Sequence, residues 1–288
     1  MAEAPNPPLQ IFFKEIKFEH SLFALPFAYL GLFLAEEGRP HFFVFFWVTV
    51  AMVGFRTFAM AMNRLVDRKI DAQNPRTSSR ALPQKKLQPR FVGISAFFAL
   101  IVFLGSVRML GPLCLLLSPI PIVLAVLYPY LKRFTWLSHL CLGIILGLSP
   151  YGAWLAARGE FSWIPGLLLI GVTSWVAGFD ILYSLQDLEF DRSAGLHSFP
   201  VRFGKPSALI IAGLLHAAAL LAWAGVGELA GLGWFYRFGL IGAAFFLLRE
   251  HWLIRRFGLA KIEQAFFTMN VGVSFALLIA AVMGLYWR

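Results

Sequence analysis

Long uncharged apolar blocks recur from one end of this chain to the other, and nothing else in it restricts the fold as strongly. Inside a bilayer every backbone N–H and C=O must find its partner within the protein, which leaves helices and closed barrels. A barrel strand alternates apolar and polar residues, whereas these apolar residues run on continuously, so helices are the expectation. Of 288 residues 59% are hydrophobic and 14% charged, and mean hydropathy is +0.73. That leaves too little polar surface for a soluble domain. Blocks of roughly 20 residues predict an all-α polytopic membrane protein, with about nine transmembrane helices around a central cavity. The whole chain, 1–288, reads as a single domain.

The expected spans are residues 20–35, 42–66, 91–107, 113–127, 137–156, 164–183, 208–226, 234–248 and 266–286. Glu36 to Pro40, Gly111 with Pro112, and Arg158 to Glu160 break the apolar pattern between them. Before the first span, Ile11, Phe12, Phe13, Ile16 and Phe18 alternate with Lys14, Glu15 and Lys17, the pattern of a helix lying in the membrane surface. The N-terminus lacks a basic region leading straight into an apolar run and cleavage site, so no signal peptide is expected. Cys114 and Cys141 both sit in apolar segments and read as core residues.

Net charge is +10, with a pI near 9.9. The basic residues explain themselves by topology rather than by nucleic acid. Lys and Arg crowd 14–17, 64–90, 132–133, 192–205 and 249–261, all on one side of the predicted spans. The other side holds Arg39, Arg108, Arg158, Arg237 and Arg288. Basic residues accumulate in cytoplasmic loops, so the N-terminus is expected in the cytoplasm and the protein in the cell (inner) membrane.

Two acidic stretches follow the second and the sixth span. Even-numbered spans end on the same face, so the stretches can meet. In the first, Asn63, Asp67 and Asp71 are four residues apart, and Arg76 and Arg80 follow. In the second, Asp180, Tyr183, Asp187 and Asp191 are expected on one helical face. Clustered carboxylates repel one another unless a cation lies among them. Oxygen ligands without His or Cys favour magnesium over zinc, and magnesium is commonly completed by substrate phosphates. Arg76, Arg80, Lys132 and Arg133 would neutralise further anionic oxygens. Arg56 lies inside a span, where a charge is costly and points to function; capping by helix-end carbonyls is the alternative. A mixed-charge solvated loop is the alternative for Asp71 or Asp191 taken singly.

The spacing resembles the UbiA superfamily of intramembrane prenyltransferases. Its first motif, N-D-x-x-D-x-x-x-D, is matched by Asn63, Asp67 and Asp71, with Arg64 in place of the first Asp. Its second, D-x-x-Y-x-x-x-D with a further Asp, is complete as Asp180, Tyr183, Asp187 and Asp191. The run from Tyr128 through Lys132 and Arg133 resembles the family's YP-x-x-KR-x-T loop, and Arg56 falls where aromatic-acid members carry an Arg. The nearest subgroup is 4-hydroxybenzoate polyprenyltransferase-like, including MqnP-like members that serve a menaquinone route. The resemblance implies Mg2+-dependent transfer of a polyprenyl group from its diphosphate to an aromatic acid in quinone biosynthesis. It implies metal held by Asp67, Asp71, Asp180, Asp187 and Asp191, with Asp67, Asp71, Asp187 and Asp191 essential to catalysis. Substrate binding then falls to Arg56, Asn63, Arg76, Arg80, Tyr128, Lys132, Arg133 and Tyr183. A naphthoate acceptor is the alternative within the enzyme class. A membrane transporter is the alternative outside it, disfavoured because the acids cluster at span ends on one face and no inverted pair of broken helices is evident.

Overall fold

The computed structural model describes residues 7–17, 21–258, 262 and 265–287. Phe18, His20 at the start of the first expected span, and the charges Lys261 and Arg288 lie outside the described residues.

The described elements are helical throughout, as expected for an all-α membrane protein. In chain order they are α1 (Pro8–Glu15), α2 (Ser21–Ala35), α3 (Phe42–Gln73), α4 (Pro89–Leu110), α5 (Pro112–Leu117) and α6 (Pro119–Leu131). Then come α7 (Ser138–Arg158), α8 (Trp163–Ser184), a 3₁₀ turn (Leu185–Asp187), α9 (Leu188–Ser193), α10 (Phe199–Leu229) and α11 (Gly233–Phe257). A π turn (Ala265–Met269) leads into α12 (Asn270–Tyr286). Among the described residues, seven helices are long and apolar enough to cross a membrane. The apolar run of α2, Ala24–Ala35, is shorter. α11 carries Arg237, Arg249, Glu250, Arg255 and Arg256 within its length. The expected count of about nine thus rests on two helices that length and apolarity alone do not qualify.

Several boundaries move for local reasons. α3 runs through the first acidic stretch and stops only where Pro75 follows its C-cap, Asn74. The fourth span divides at Ser118, where Pro119 and Pro121 remove two backbone donors. Tyr128 to Leu131, expected in a loop, complete α6, and Lys132 caps it. α10 starts at Phe199, before the expected span, and bends at Gly204, whose φ of 81° only glycine adopts readily. The shared helical face expected for Asp180, Tyr183, Asp187 and Asp191 does not persist. α8 ends at Ser184, the tighter 3₁₀ turn follows, and Asp191 lies on the separate helix α9. Three residues per turn instead of 3.6 re-aims every later side chain.

The core joins helices distant in sequence. Phe27 of α2, Trp175 of α8 and Trp223 of α10 meet with ring centroids 4.9 to 6.2 Å apart. α7 and α8 approach closely because α7 presents glycine. A Cβ on Gly143 would lie 2.4 Å from the Thr173 carbonyl oxygen. Small residues let membrane helices pack backbone to backbone. His139 is one turn from Gly143 on α7, and Asp180 is two turns from Thr173 on α8. The glycine contact therefore brings His139 and Asp180 within bonding range.

Candidate active site

The C-terminal end of α3, the turn segment 74–88, the end of α6, the start of α7 and the region 179–198 enclose a polar cavity of about 290 Å³. All five expected aspartates line it: Asp67, Asp71, Asp180, Asp187 and Asp191. So do Arg56, Asn63, Arg76, Arg80, Tyr128, Lys132 and Tyr183. Arg133 does not. Its guanidinium turns back to the carbonyls of Pro129 (2.8 Å) and Val66 (3.2 Å), stacks over Tyr130 and reaches Asp67 only at 3.4 Å.

The two acidic stretches are joined directly. Asp187 Oδ1 accepts hydrogen bonds from Asn74 Nδ2 and from Arg76 Nε, both at 2.8 Å. Its Oδ2 accepts from Arg76 Nη2 at 2.5 Å. Arg76 also lies over the Tyr183 ring, 5.4 Å from its centroid. Burial disfavours the Arg76 charge, but the hydrogen bond and charge of Asp187 outweigh it and hold the guanidinium pKa above its ordinary value. Asn74 shapes the turn that presents Arg76, since its side-chain oxygen accepts from the Arg76 N–H at 2.9 Å.

Of the other four, Asp67, Asp71 and Asp180 each face a basic group. Asp67, 4% exposed, accepts from Lys132 Nζ at 2.6 Å and from Asn63 Nδ2 at 3.4 Å. Asp71 accepts from Arg80 Nη1 at 2.8 Å on both oxygens. Asp180 pairs with His139 Nδ1 at 2.6 Å. Because the Phe199 N–H donates to His139 Nε2 at 3.3 Å, the ring proton belongs on Nδ1, which donates to Asp180. Among the described residues no three His, Cys, Asp or Glu side chains are grouped closely enough to hold a metal ion. Asp67, Asp71 and Asp187 face cations, and Asp180 faces His139, rather than one another. Their chemistry still fits a hard divalent cation: carboxylate oxygens from two facing walls of one cavity.

Arg56 takes the arrangement foreseen as the alternative, donating from Nη2 to the Lys17 carbonyl at 3.0 Å, while still lining the cavity. Asn74 and His139 escaped the sequence reading. Asn before Pro75 marked a turn, and a histidine in an apolar run marked a buried polar contact, but neither revealed its partner.

A sequence model of the UbiA prenyltransferase family matches residues 24–272. The chain belongs to the UbiA prenyltransferase family. It is 33% identical over 241 residues to the 4-hydroxybenzoate octaprenyltransferase of Aeromonas salmonicida, covering 83% of each chain. It is 32% identical over 257 residues to the Vibrio vulnificus protein of the same name, covering 86% of this chain and 87% of that one. The fold is that of a UbiA homolog from Aeropyrum pernix K1 solved without ligand, with a TM-score of 0.83 and 32% identity over 91% of this chain and 96% of that one. A UbiA homolog from Archaeoglobus fulgidus, bound to DMAPP and Mg2+, shares the fold at a TM-score of 0.64 and 17% identity, over 93% of this chain and 99% of that one. In this UbiA member Arg64 replaces the motif's first Asp. The side chain is buried and donates to the Glu15 carbonyl at 3.0 Å and to Asn63 Oδ1 at 3.1 Å.

Proposed function

We propose that the chain, as one transmembrane domain over 1–288, transfers a polyprenyl group from its diphosphate to an aromatic acid of the 4-hydroxybenzoate type in quinone biosynthesis. The observation that carries this reading is the single polar cavity shared by both acidic stretches, latched across by Arg76 and Asp187. An apolar route adjoins it. Arg56, Met60, Asn63 and Tyr128 line both the polar cavity and a second, smaller one, whose walls are otherwise mostly apolar. Met52, Phe55, Ile145 and Ser149 then connect that one to a third, of about 290 Å³, lined by Val48, Phe103, Leu110 and Gly152 among others. A charged head beside a long apolar passage suits a polyprenyl diphosphate.

In this reading Asp67, Asp71, Asp180, Asp187 and Asp191 hold Mg2+. Bound there, the metal supplies charge stabilisation to the diphosphate as it departs. Arg76, Arg80 and Lys132 neutralise the remaining diphosphate oxygens, and Tyr183 fixes the Arg76 plane. The allylic C–O bond breaks, the allylic carbon bonds to the ring beside its hydroxyl, and the ring loses a proton. Arg56 and Asn63, where the polar and apolar cavities join, lie where an acceptor carboxylate meets the reacting carbon. Tyr128 closes the wall between head and chain. The basic face carrying the site lies in the cytoplasm, and the membrane is the cell (inner) membrane.

The test uses membranes supplied with polyprenyl diphosphate and, in parallel, 4-hydroxybenzoate or naphthoate acceptors. Asp67→Ala and EDTA should each abolish prenylated product and pyrophosphate release, with Mg2+ restoring the EDTA-treated enzyme. Turnover that survives both would remove the metal-bridged reading. Solute flux without pyrophosphate would favour a transporter.

A further inference from the structure

The N-terminal helix α1 is fastened to the site by polar ties that the proposed reaction does not use. Glu15, its last residue, has a side chain only 6% exposed. Its Oε2 accepts a hydrogen bond from the backbone N–H of Ala81 at 2.8 Å. Its Oε1 lies 3.9 Å from Arg64 Nε, and its own carbonyl accepts from that same nitrogen at 3.0 Å. Two residues further on, the Lys17 carbonyl accepts from Arg56. The carbonyls that end a helix lack partners within it and carry partial negative charge. Here Arg64 of α3 supplies one missing donor, at Glu15, and Arg56 holds the Lys17 carbonyl just beyond the helix. Around these bonds Phe12 and Ile16 pack with Phe58, Ala81, Leu82 and Leu87.

The two ties of Glu15 lead to the cavity. Ala81 directly follows Arg80, whose guanidinium holds Asp71. Arg64 continues through Asn63 to Asp67. The segment 74–88, which also carries Arg76, consists of turns without a regular helix, so tertiary contacts rather than a helical backbone ladder set its position. A carboxylate this buried needs compensation: here the Ala81 N–H satisfies Oε2, while Oε1 accepts no hydrogen bond and has only the Arg64 charge 3.9 Å away.

We propose that Glu15 is a positioning residue: through the Ala81 N–H it fixes segment 74–88 so that Arg80 and Arg76 face the diphosphate, and through Arg64 it orients Asn63 toward Asp67. Arg64 is the link that this chain has where the motif carries an Asp. The inference rests on the prenyl-transfer reading and adds the N-terminal helix to the machinery for binding the diphosphate.

The experiment compares wild-type protein with Glu15→Ala and Glu15→Gln in vesicles of one lipid composition, varying the prenyl diphosphate at saturating acceptor. Losing one charge-assisted bond that orients the head-group arginines should raise the diphosphate KM about tenfold with little change in kcat. The acceptor KM should stay as it was. Glu15→Gln keeps an oxygen for the Ala81 N–H and should recover most of the loss. Thermal midpoints are measured on all three. A lower midpoint with an unchanged diphosphate KM would mean that Glu15 only holds α1 in place, and would overturn the proposal. Glu15→Gln as impaired as Glu15→Ala would overturn it too. Should Glu15→Ala not accumulate, a Glu15→Gln protein of native stability whose diphosphate KM rises tenfold overturns the proposal, and one within threefold of wild type supports it. If the wild-type protein itself transfers no prenyl group, the functional reading fails instead.

Discussion

Asp187→Asn separates two roles that the geometry gives one carboxylate. Asp187 holds segment 74–88 by accepting from Asn74 and twice from Arg76. It also supplies negative charge to the cavity. Asparagine keeps the shape and one acceptor oxygen, so the bonds from Asn74 and Arg76 Nε survive and that from Nη2 is lost. The pair is partly exposed, 28% for Arg76 and 15% for Asp187. The structural cost should therefore stay near the lower end for a charged hydrogen bond, about 1.5 kcal/mol. Removing a charge that acts on the reacting centre costs about 3–4 kcal/mol in comparable sites, roughly 10²–10³ in rate. The two roles therefore predict different results. The variant should fold, with its thermal midpoint lowered by only a few degrees, while kcat/KM falls by roughly 10²–10³ and the Mg2+ concentration for half-maximal activity rises. The assay is prenylated product per time over a magnesium titration, run beside thermal unfolding of the same preparation. Activity within threefold of wild type, with an unaltered magnesium requirement, would refute the assignment of Asp187 as a metal ligand. It would leave that residue a fastener for the loop.

Two further outcomes follow from the cavity walls. Arg56→Ala should raise the acceptor KM by roughly tenfold, since the charge lies where head and chain cavities join; unaltered acceptor kinetics would assign Arg56 to the Lys17 carbonyl alone. Gly152 lines the apolar cavity, and a Cβ there meets no atom within 4 Å. Gly152→Phe, whose Cβ meets no neighbour, should narrow the passage and shift the ratio of kcat/KM toward short-chain diphosphates by about tenfold, from roughly 1.4 kcal/mol of lost contact. An unchanged ratio would place the chain elsewhere.

The local part of this protein was legible before any fold was known. Apolar runs report bilayer burial directly, and the parity of spans placed both acidic stretches on one face. The spacing of Asn63, Asp67 and Asp71 survives because one helix, α3, carries all three. The second stretch was legible in composition but not in geometry, because the 3₁₀ turn at Leu185–Asp187 resets the helical phase. Partners distant in the chain were not legible. His139 and Asp180 are 41 residues apart, Arg76 and Asp187 are 111, and Glu15 and Ala81 are 66. Hydropathy and helical period are properties of neighbouring residues, so the sequence by itself determined a helical membrane bundle and its candidate acids. Which cation faces which carboxylate depends on how closely helices pack, as where Gly143 meets Thr173, and only the tertiary structure decided that.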